Sequence, residues 1–361
     1  ALSDPAQDNS ERDEWTLRLL QRLPKRGPFA YERLLEALIE TQMTGAHEIL
    51  TGQALRRGGP LQSNGEFRVD AAVRHGDGRV VEHGDAELKV RQAEEWKNGN
   101  HIYKMMRNPR GTCVIINNRD FGNLLPLRKG SELDVQRMHM LFRELYFDCI
   151  VRINQTKEEM ETLLSQVSHK QHKSADCLVV ILMSHGDQKD IIYDVKRDPV
   201  DTEKLIAMFN NENCPALQGK PKLFFIQACR GGKHDGGTSS VMDTADAGTL
   251  PTDMASVKIS TERADRRVPT VSDMFIAYPS VKGHVSLKNE AIGSWFLGTV
   301  FRVFCEQAWN THLDKMMRRV ADEVHNRVSH DGGRQTINID ARGWRKKLYF
   351  NPGLALEQMT L

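Results

Sequence analysis

Two stretches decide the fold: CLVVILMSHG (Cys177–Gly186) and KLFFIQACRG (Lys222–Gly231). Each opens on a short apolar run with no polar alternation. Such a run reads as a strand covered on both faces, as in a parallel sheet sandwiched by helices. Working outward, TCVIIN (Thr112–Asn117) is a third short strand candidate. Ser131 opens a helical period with Asp134 at approximate capping-box spacing, and Leu133, Val135, Met138, Leu141, Phe142 and Leu145 form its apolar face. Cys149–Ile153 predicts a further strand. Thr156 and Glu159 form a fuller capping box ahead of Met160, Leu163, Leu164 and Val167. Later elements are a helix over 201–209, a strand over Met274–Tyr278, a long helical tract from Trp295 to about Val328, and a last strand over Lys347–Phe350. Strands alternating with helices predict an α/β fold whose sheet is mostly parallel.

The flanks have another character. Residues 11–50 carry three short helical patterns, which make a poor free-standing core. Residues 52–108 are polar and interrupted by Gly58, Gly59, Pro60, Gly76, Gly78 and Gly84, so they read as a linker, with a short helix expected over Lys89–Met106. Residues 233–268 lose all periodicity and read as a flexible insert.

Composition narrows the class. The chain has 361 residues, enough for two or three domains, with Lys+Arg 50 against Asp+Glu 48 and a net charge of +2. It has no Lys/Arg-rich block, so neither charge nor patterning points to nucleic acid. No apolar run reaches the ~18 residues of a membrane span. The 6 cysteines form no Cys-x-x-Cys pair, which disfavours a structural zinc module or a redox dithiol. The reading is an N-terminally incomplete cytosolic chain with reduced thiols.

Reactive groups of open α/β sheets gather at the carboxyl ends of strands. The first stretch ends in Ser184-His185-Gly186 and the second in Gln227-Ala228-Cys229-Arg230-Gly231. If the two strands are parallel neighbours, His185 and Cys229 emerge on one edge. A thiol beside an imidazole is a usable nucleophile, because the thiolate attacks and the ring holds the proton. Gly186 and Gly231 leave backbone N–H groups free to approach a substrate carbonyl oxygen. Taken singly, such a cysteine is more often a small buried hydrophobe. The complete string Gln227–Gly231 with its upstream histidine is the known caspase signature, a match rather than a derivation.

Over residues 110–353 the sequence resembles the caspases, Asp-directed cysteine proteases. Further landmarks are Ile116-Asn117-Asn118, Leu127-Arg128-Lys129-Gly130-Ser131, Gly219-Lys220-Pro221-Lys222 and Gly293-Ser294-Trp295-Phe296. The resemblance implies a caspase-like, mostly parallel central sheet flanked by helices. It implies Cys229 as nucleophile, His185 as general acid–base, and the backbone N–H groups of Gly186 and Cys229 as oxyanion hole. The carbonyl of Pro126 would orient the histidine. Arg128 and Gln227 would meet the acidic substrate side chain. Val285, Ser286, Leu287 and Lys288 stand where the family carries a Ser-Trp-Arg-like segment, with Lys288 in place of arginine and Leu287 in place of the aromatic. Arginine presents a planar fork and lysine a mobile point charge. Lys288 either relaxes the preference for Asp over Glu or is a neutral exchange, since Arg128 remains. No cofactor and no metal are implied.

Residues 1–52 resemble the C-terminal part of a CARD, an all-α recruitment domain, with about three helices expected upstream. The implied organisation is 1–52 partial CARD, 53–108 linker, 109–232 large subunit, 233–268 intersubunit linker and 269–361 small subunit. A long prodomain implies an initiator zymogen, and Lys346–Gly353 resembles the Dronc-type insect initiators, although this chain keeps the Gln-Ala-Cys signature. Candidate self-cleavage residues are Asp70, Asp243, Asp246, Asp253, Glu262 and Asp265, each of which also reads as a solvated linker charge. Expected partners are protein substrates, a second copy in an active homodimer paired near 347–350 or 336–340, a CARD-containing apoptosome adaptor and inhibitor-of-apoptosis proteins, with no nucleic acid and no membrane. A non-catalytic caspase-like decoy and a caspase of immune signalling are the competing readings. His169 and His172 read as an exposed, charged helix end rather than a metal pair, and Cys113, Cys149 and Cys177 as core.

Overall fold

A computed structural model describes residues 88–170, 172–237, 268–290 and 292–356. The expected CARD helices and all six candidate cleavage residues lie outside these. Six strands form the central sheet: β1 (Gly111–Asn117), β2 (Phe147–Ile153), β3 (Cys177–Met183), β7 (Lys222–Gln227), β8 (Met274–Tyr278) and β11 (Asn338–Arg342). Their order is β11-β8-β7-β3-β1-β2, with every pair parallel except β11 against β8. Two smaller sheets lie outside it: β4 (Gly186–Asp187) with β5 (Ile191–Tyr193) and β6 (Pro199–Asp201), and β9 (Lys288–Asn289) with β10 (Gly293–Ser294).

The inner strands β1, β3, β7 and β8 are buried along their whole length because both faces are covered. Cys113, Ile115, Val179, Ile181, Leu223 and Phe225 face one core with the helices α1 (Ser131–Glu144), α4 (Trp295–Gln307) and α5 (Leu313–His325). Val114, Ile116, Val180, Leu182, Phe224 and Ile226 face the other, with α2 (Lys157–His169) and α3 (Thr202–Ala207). The capping box at Thr156 forms in both directions: Glu159 N–H donates to Thr156 Oγ1 at 3.3 Å, and Thr156 N–H donates to Glu159 Oε2 at 2.8 Å.

Several expectations need correction. Ser131 is not a helix cap; Gly130 holds that position in the left-handed region, φ 82°. Ser131 Oγ accepts instead from Asn117 Nδ2 at 3.1 Å, and Asp134 accepts from the backbone of Ser294, so tertiary partners claim both polar side chains. The tract from Trp295 breaks into α4 and α5 around 308–312, and α5 ends at His325. No helix forms over 89–106. That segment is not a spacer: Val90, Ala93, Tyr103 and Met105 are buried against the body, and Lys347 bridges Ile102, its carbonyl accepting the Tyr103 N–H and its own N–H donating to the His101 carbonyl. Lys347–Phe350 is no sheet strand; its Leu348 and Phe350 are core, and the edge strand next to β8 is β11. His172 is buried, its Nε2 2.7 Å from the Val167 carbonyl, rather than part of an exposed helix end.

Candidate active site

β3 and β7 pair in parallel with Met183 opposite Gln227, so both chains leave the sheet at one level. Two residues further on stand His185 and Cys229. The loops that carry them touch at Gly186, where a Cβ would lie 2.4 Å from the Cys229 carbonyl oxygen and 2.8 Å from Ala228 Cβ. Only glycine permits this approach. Tyr193 N–H donates to the His185 carbonyl at 2.9 Å, which makes that pair hydrogen-bonded and the next, Gly186 opposite Ile192, non-hydrogen-bonded. The Gly186 N–H therefore points away from β5. Gly231 repeats the device with φ +146°: its Cβ would meet the Gly283 carbonyl at 2.4 Å.

His185 is half-buried, with the Phe121 ring centroid 5.0 Å from its own. Its Nε2 lies 2.7 Å from the Pro126 carbonyl oxygen. A carbonyl only accepts, so the proton sits on Nε2 and Nδ1 keeps a lone pair. Burial lowers the ring's pKa, the Pro126 bond opposes this, and the positive charges of Arg128 and Lys288 lower it further. At neutral pH the imidazole is thus a neutral base. Cys229 is half-buried and its Sγ accepts the Ser286 N–H at 3.4 Å. By contrast, Cys113, Cys177 and Cys214 are buried, and burial pushes their thiols up, away from the reactive thiolate.

A cationic wall stands beside this pair. Arg128 is buried, and its Nη1 donates to Asn117 Oδ1 at 2.8 Å and to the Asn118 carbonyl at 2.9 Å. Burial lowers its pKa to about 10, which leaves it charged at neutral pH. Lys288, on β9, is exposed at the residue level, and its ammonium is pulled below the usual range, first by desolvation and then by Arg128. Gln227 Nε2 donates to Ser286 Oγ at 2.8 Å, while its Oε1 is buried without a partner. Turning that amide over lets Ser286 Oγ–H donate to Oε1 and frees Nε2 to meet an acid. The structure therefore gathers Cys229, His185, Gly186, Pro126, Arg128, Gln227, Val285, Ser286, Leu287 and Lys288 around one strand edge. Among the described residues no group of side chains has the makings of a metal site.

Some supports went unread in the sequence. Asn117 and Asn118, which the sequence marks without a role, hold Arg128 by side chain and carbonyl. Asp190 grips Arg230, the residue after Cys229, through Nε at 2.7 Å and also through Nη2, and takes Lys282 Nζ at 2.9 Å. Arg230 also stacks on Tyr278 at 3.8 Å and donates to Asn338 Oδ1 at 2.9 Å. A buried arginine announces that it needs a counter-ion, but nothing local separates Asp190 from Asp187 or Asp198.

The Caspase domain family matches residues 110–349. The chain belongs to the caspase family. Caspase-2 of Gallus gallus is 32% identical over 338 residues, covering 87% of this chain and 78% of that protein. Caspase-9 of Homo sapiens is 32% identical over 270 residues, covering 70% of this chain and 64% of that protein. Caspase-3 of Felis catus is 32% identical over 257 residues, covering 69% and 86%. As a caspase the chain is a cysteine-type endopeptidase, a hydrolase. None of the helices among the described residues is long and apolar enough to cross a membrane.

Proposed function

We propose that this caspase is an initiator zymogen that cleaves peptide bonds after acidic residues. The observation that carries the reading is the junction of His185 and Cys229 at the ends of register-matched parallel strands, with Arg128 and Lys288 beside them. The Cys229 proton passes to the free Nδ1 of His185, and Sγ attacks the scissile carbonyl carbon. The developing oxyanion takes the N–H groups of Gly186 and Cys229. His185 returns the proton to the departing amine as the C–N bond breaks, leaving a thioester. Water, deprotonated by the same ring, then releases the acid and restores the thiol. The acidic side chain pairs with Arg128, the turned Gln227 amide and Lys288.

The finer role follows from the flanking segments. Recruitment through residues 1–52 by a CARD-containing adaptor drives homodimerisation, for which β11, the last strand on its side of the sheet among the described residues, offers an edge. Self-cleavage falls at Asp243, Asp246, Asp253, Glu262 or Asp265 between the subunits and at Asp70 before the large one. The setting is the cytoplasm, the outcome apoptosis, and inhibitor-of-apoptosis proteins are the restraining partners.

The test compares the purified chain with Cys229→Ala on fluorogenic peptides ending in Asp, Glu or Asn, with citrate present to promote dimers. Cys229-dependent release after Asp or Glu supports the reading. Absence of release from the wild-type dimer sinks it. Mass spectrometry of the termini in the two proteins locates the self-cleavage sites, and identical termini reject self-processing.

A further inference from the structure

Gln335 lies on the chain between α5 and β11, away from the family's signature segments, and is 2% exposed. Its Oε1 accepts the Leu287 N–H at 2.6 Å, while its Nε2 is buried without a partner. The backbone next to it is fixed: Arg334 N–H donates to the Asp235 carbonyl at 2.8 Å. Just upstream, the tight turn at Ser329–Gly333 closes through Ser329 N–H to the Gly333 carbonyl at 2.9 Å, and a Cβ on Gly333 would lie 3.7 Å from Leu287 Cδ1.

The segment 285–288 is therefore gripped from two sides. From the nucleophile's side, Gln227 holds Ser286 Oγ and Cys229 Sγ accepts the Ser286 N–H. From the far side Gln335 holds the next peptide. Two buried glutamines thus grip neighbouring residues, each by one end of its amide, and each has its other end unsatisfied. A buried polar atom without a partner forfeits its hydration with nothing in return. That cost is tolerated where the other end of the amide makes a bond the molecule needs.

We infer that Gln335 is a positioning residue for substrate: it sets the Leu287 peptide, and through it the direction in which Lys288 is presented to the acidic side chain. Gln335 reaches neither Cys229 nor His185, so it acts on binding and not on the chemical step. The inference rests on the proposed reading that 285–288 lines the substrate.

The experiment uses Gln335→Met, which keeps length and removes the acceptor, and Gln335→Glu, which keeps an acceptor oxygen for Leu287 N–H. Amide exchange of the peptide spanning 285–288, read by mass spectrometry, reports the grip without any catalysis. KM and kcat on paired Asp- and Glu-ended peptides report its use. Gln335→Met should speed exchange at Leu287 at least tenfold, raise KM about tenfold, leave kcat within about threefold, and narrow the difference between Asp and Glu. Gln335→Glu should restore the slow exchange and most of KM. Thermal melting of both variants separates local loosening from unfolding. Unchanged exchange in Gln335→Met overturns the grip. Faster exchange with unchanged KM, or a fall in kcat alone, overturns the positioning role. If the wild-type chain cleaves no acid-ended peptide, the proposed function fails, and the exchange result separately decides whether Gln335 holds the segment.

Discussion

At the residue scale, two contacts make sharp demands. Gly186 lies against a backbone carbonyl, which cannot rotate away as a side chain can, so a methyl group must push the loops that carry His185 and Cys229 apart. A misplacement of about 1 Å between reacting groups costs on the order of 100-fold in rate. Gly186→Ala should lower kcat/KM by about that factor while the melting temperature moves by only a few degrees; a variant with wild-type kcat/KM would contradict the approach described. Lys288 bears on His185 electrostatically. Its charge disfavours the imidazolium, so Lys288→Met should raise the His185 pKa. The ring's NMR titration midpoint and the acidic limb of the kcat/KM profile should both move to higher pH. A midpoint that stays in place, or moves down, refutes the coupling. On the same residue, Lys288→Arg should sharpen Asp over Glu, and equal ratios in the two proteins would mark the exchange as neutral.

At the element scale, Asp134 joins α1 to β10 and the start of α4. It is buried, and the Ser294 N–H reaches its two oxygens at 3.1 and 3.2 Å. Ser294 is paired with Lys288 across β9–β10, so a side chain on α1 steadies the hairpin that carries the lysine. Burial pushes this carboxyl up to about 6, against the opposing pull of the Ser294 bonds, Arg128 and Arg137. The folded protein therefore holds a proton at Asp134 that the unfolded chain gives up near its ordinary 3.8. Stability is lost as pH rises from about 4 to 6 and stays lost above. Asp134→Asn keeps an acceptor for Ser294 and avoids ionisation. It should be more stable than wild type at pH 7.5, by at most roughly 2–3 kcal/mol, with the gain vanishing by pH 4. Melting curves across that range check it; a gain independent of pH would place the effect elsewhere.

At the scale of the whole molecule, residues 88–106 belong to the catalytic body. Four of their side chains are core, and Arg91 N–H, Ala93 N–H and Tyr103 N–H donate to Cys305, Pro352 and Lys347 carbonyls at 3.0, 2.8 and 2.9 Å. Tyr103 Oη–H also donates to Asp273 Oδ1 at 2.8 Å, across the boundary between the two expected subunits. Burying the three large ones, Val90, Tyr103 and Met105, contributes roughly 5–9 kcal/mol, comparable with the whole net stability of a domain. A chain beginning at Leu88 should melt within a few degrees of the full chain, whereas one beginning at Pro109 should lose more than about 10 °C or fail to fold. Equal melting temperatures would show the segment to be dispensable.

The layered α/β architecture, and the placing of His185 and Cys229 at neighbouring strand ends, are legible in the residues alone. A strand buried on both faces has to be continuously apolar, and Cys177–Met183 and Lys222–Ile226 carry that pattern in their own residues. The same holds for Thr156 and Glu159, whose capping box is local. His185 and Cys229 were legible because each follows such a strand directly. Tertiary structure alone decided the rest, because those choices are made by partners far apart in the chain. Ser131 and Asp134 had cap spacing, yet Asn117 and Ser294 took their side chains. Residues 88–106 looked like spacer because their few apolar side chains have no period of their own and find their core on α4 and 348–350. Leu348 and Phe350 had a strand's composition and became core, while β11, mixed in polarity, became the edge. The bonds Asp190–Arg230, Asn117–Arg128 and Gln335–Leu287 left no local mark, since a polar side chain in a loop reads the same whether water or a buried partner satisfies it.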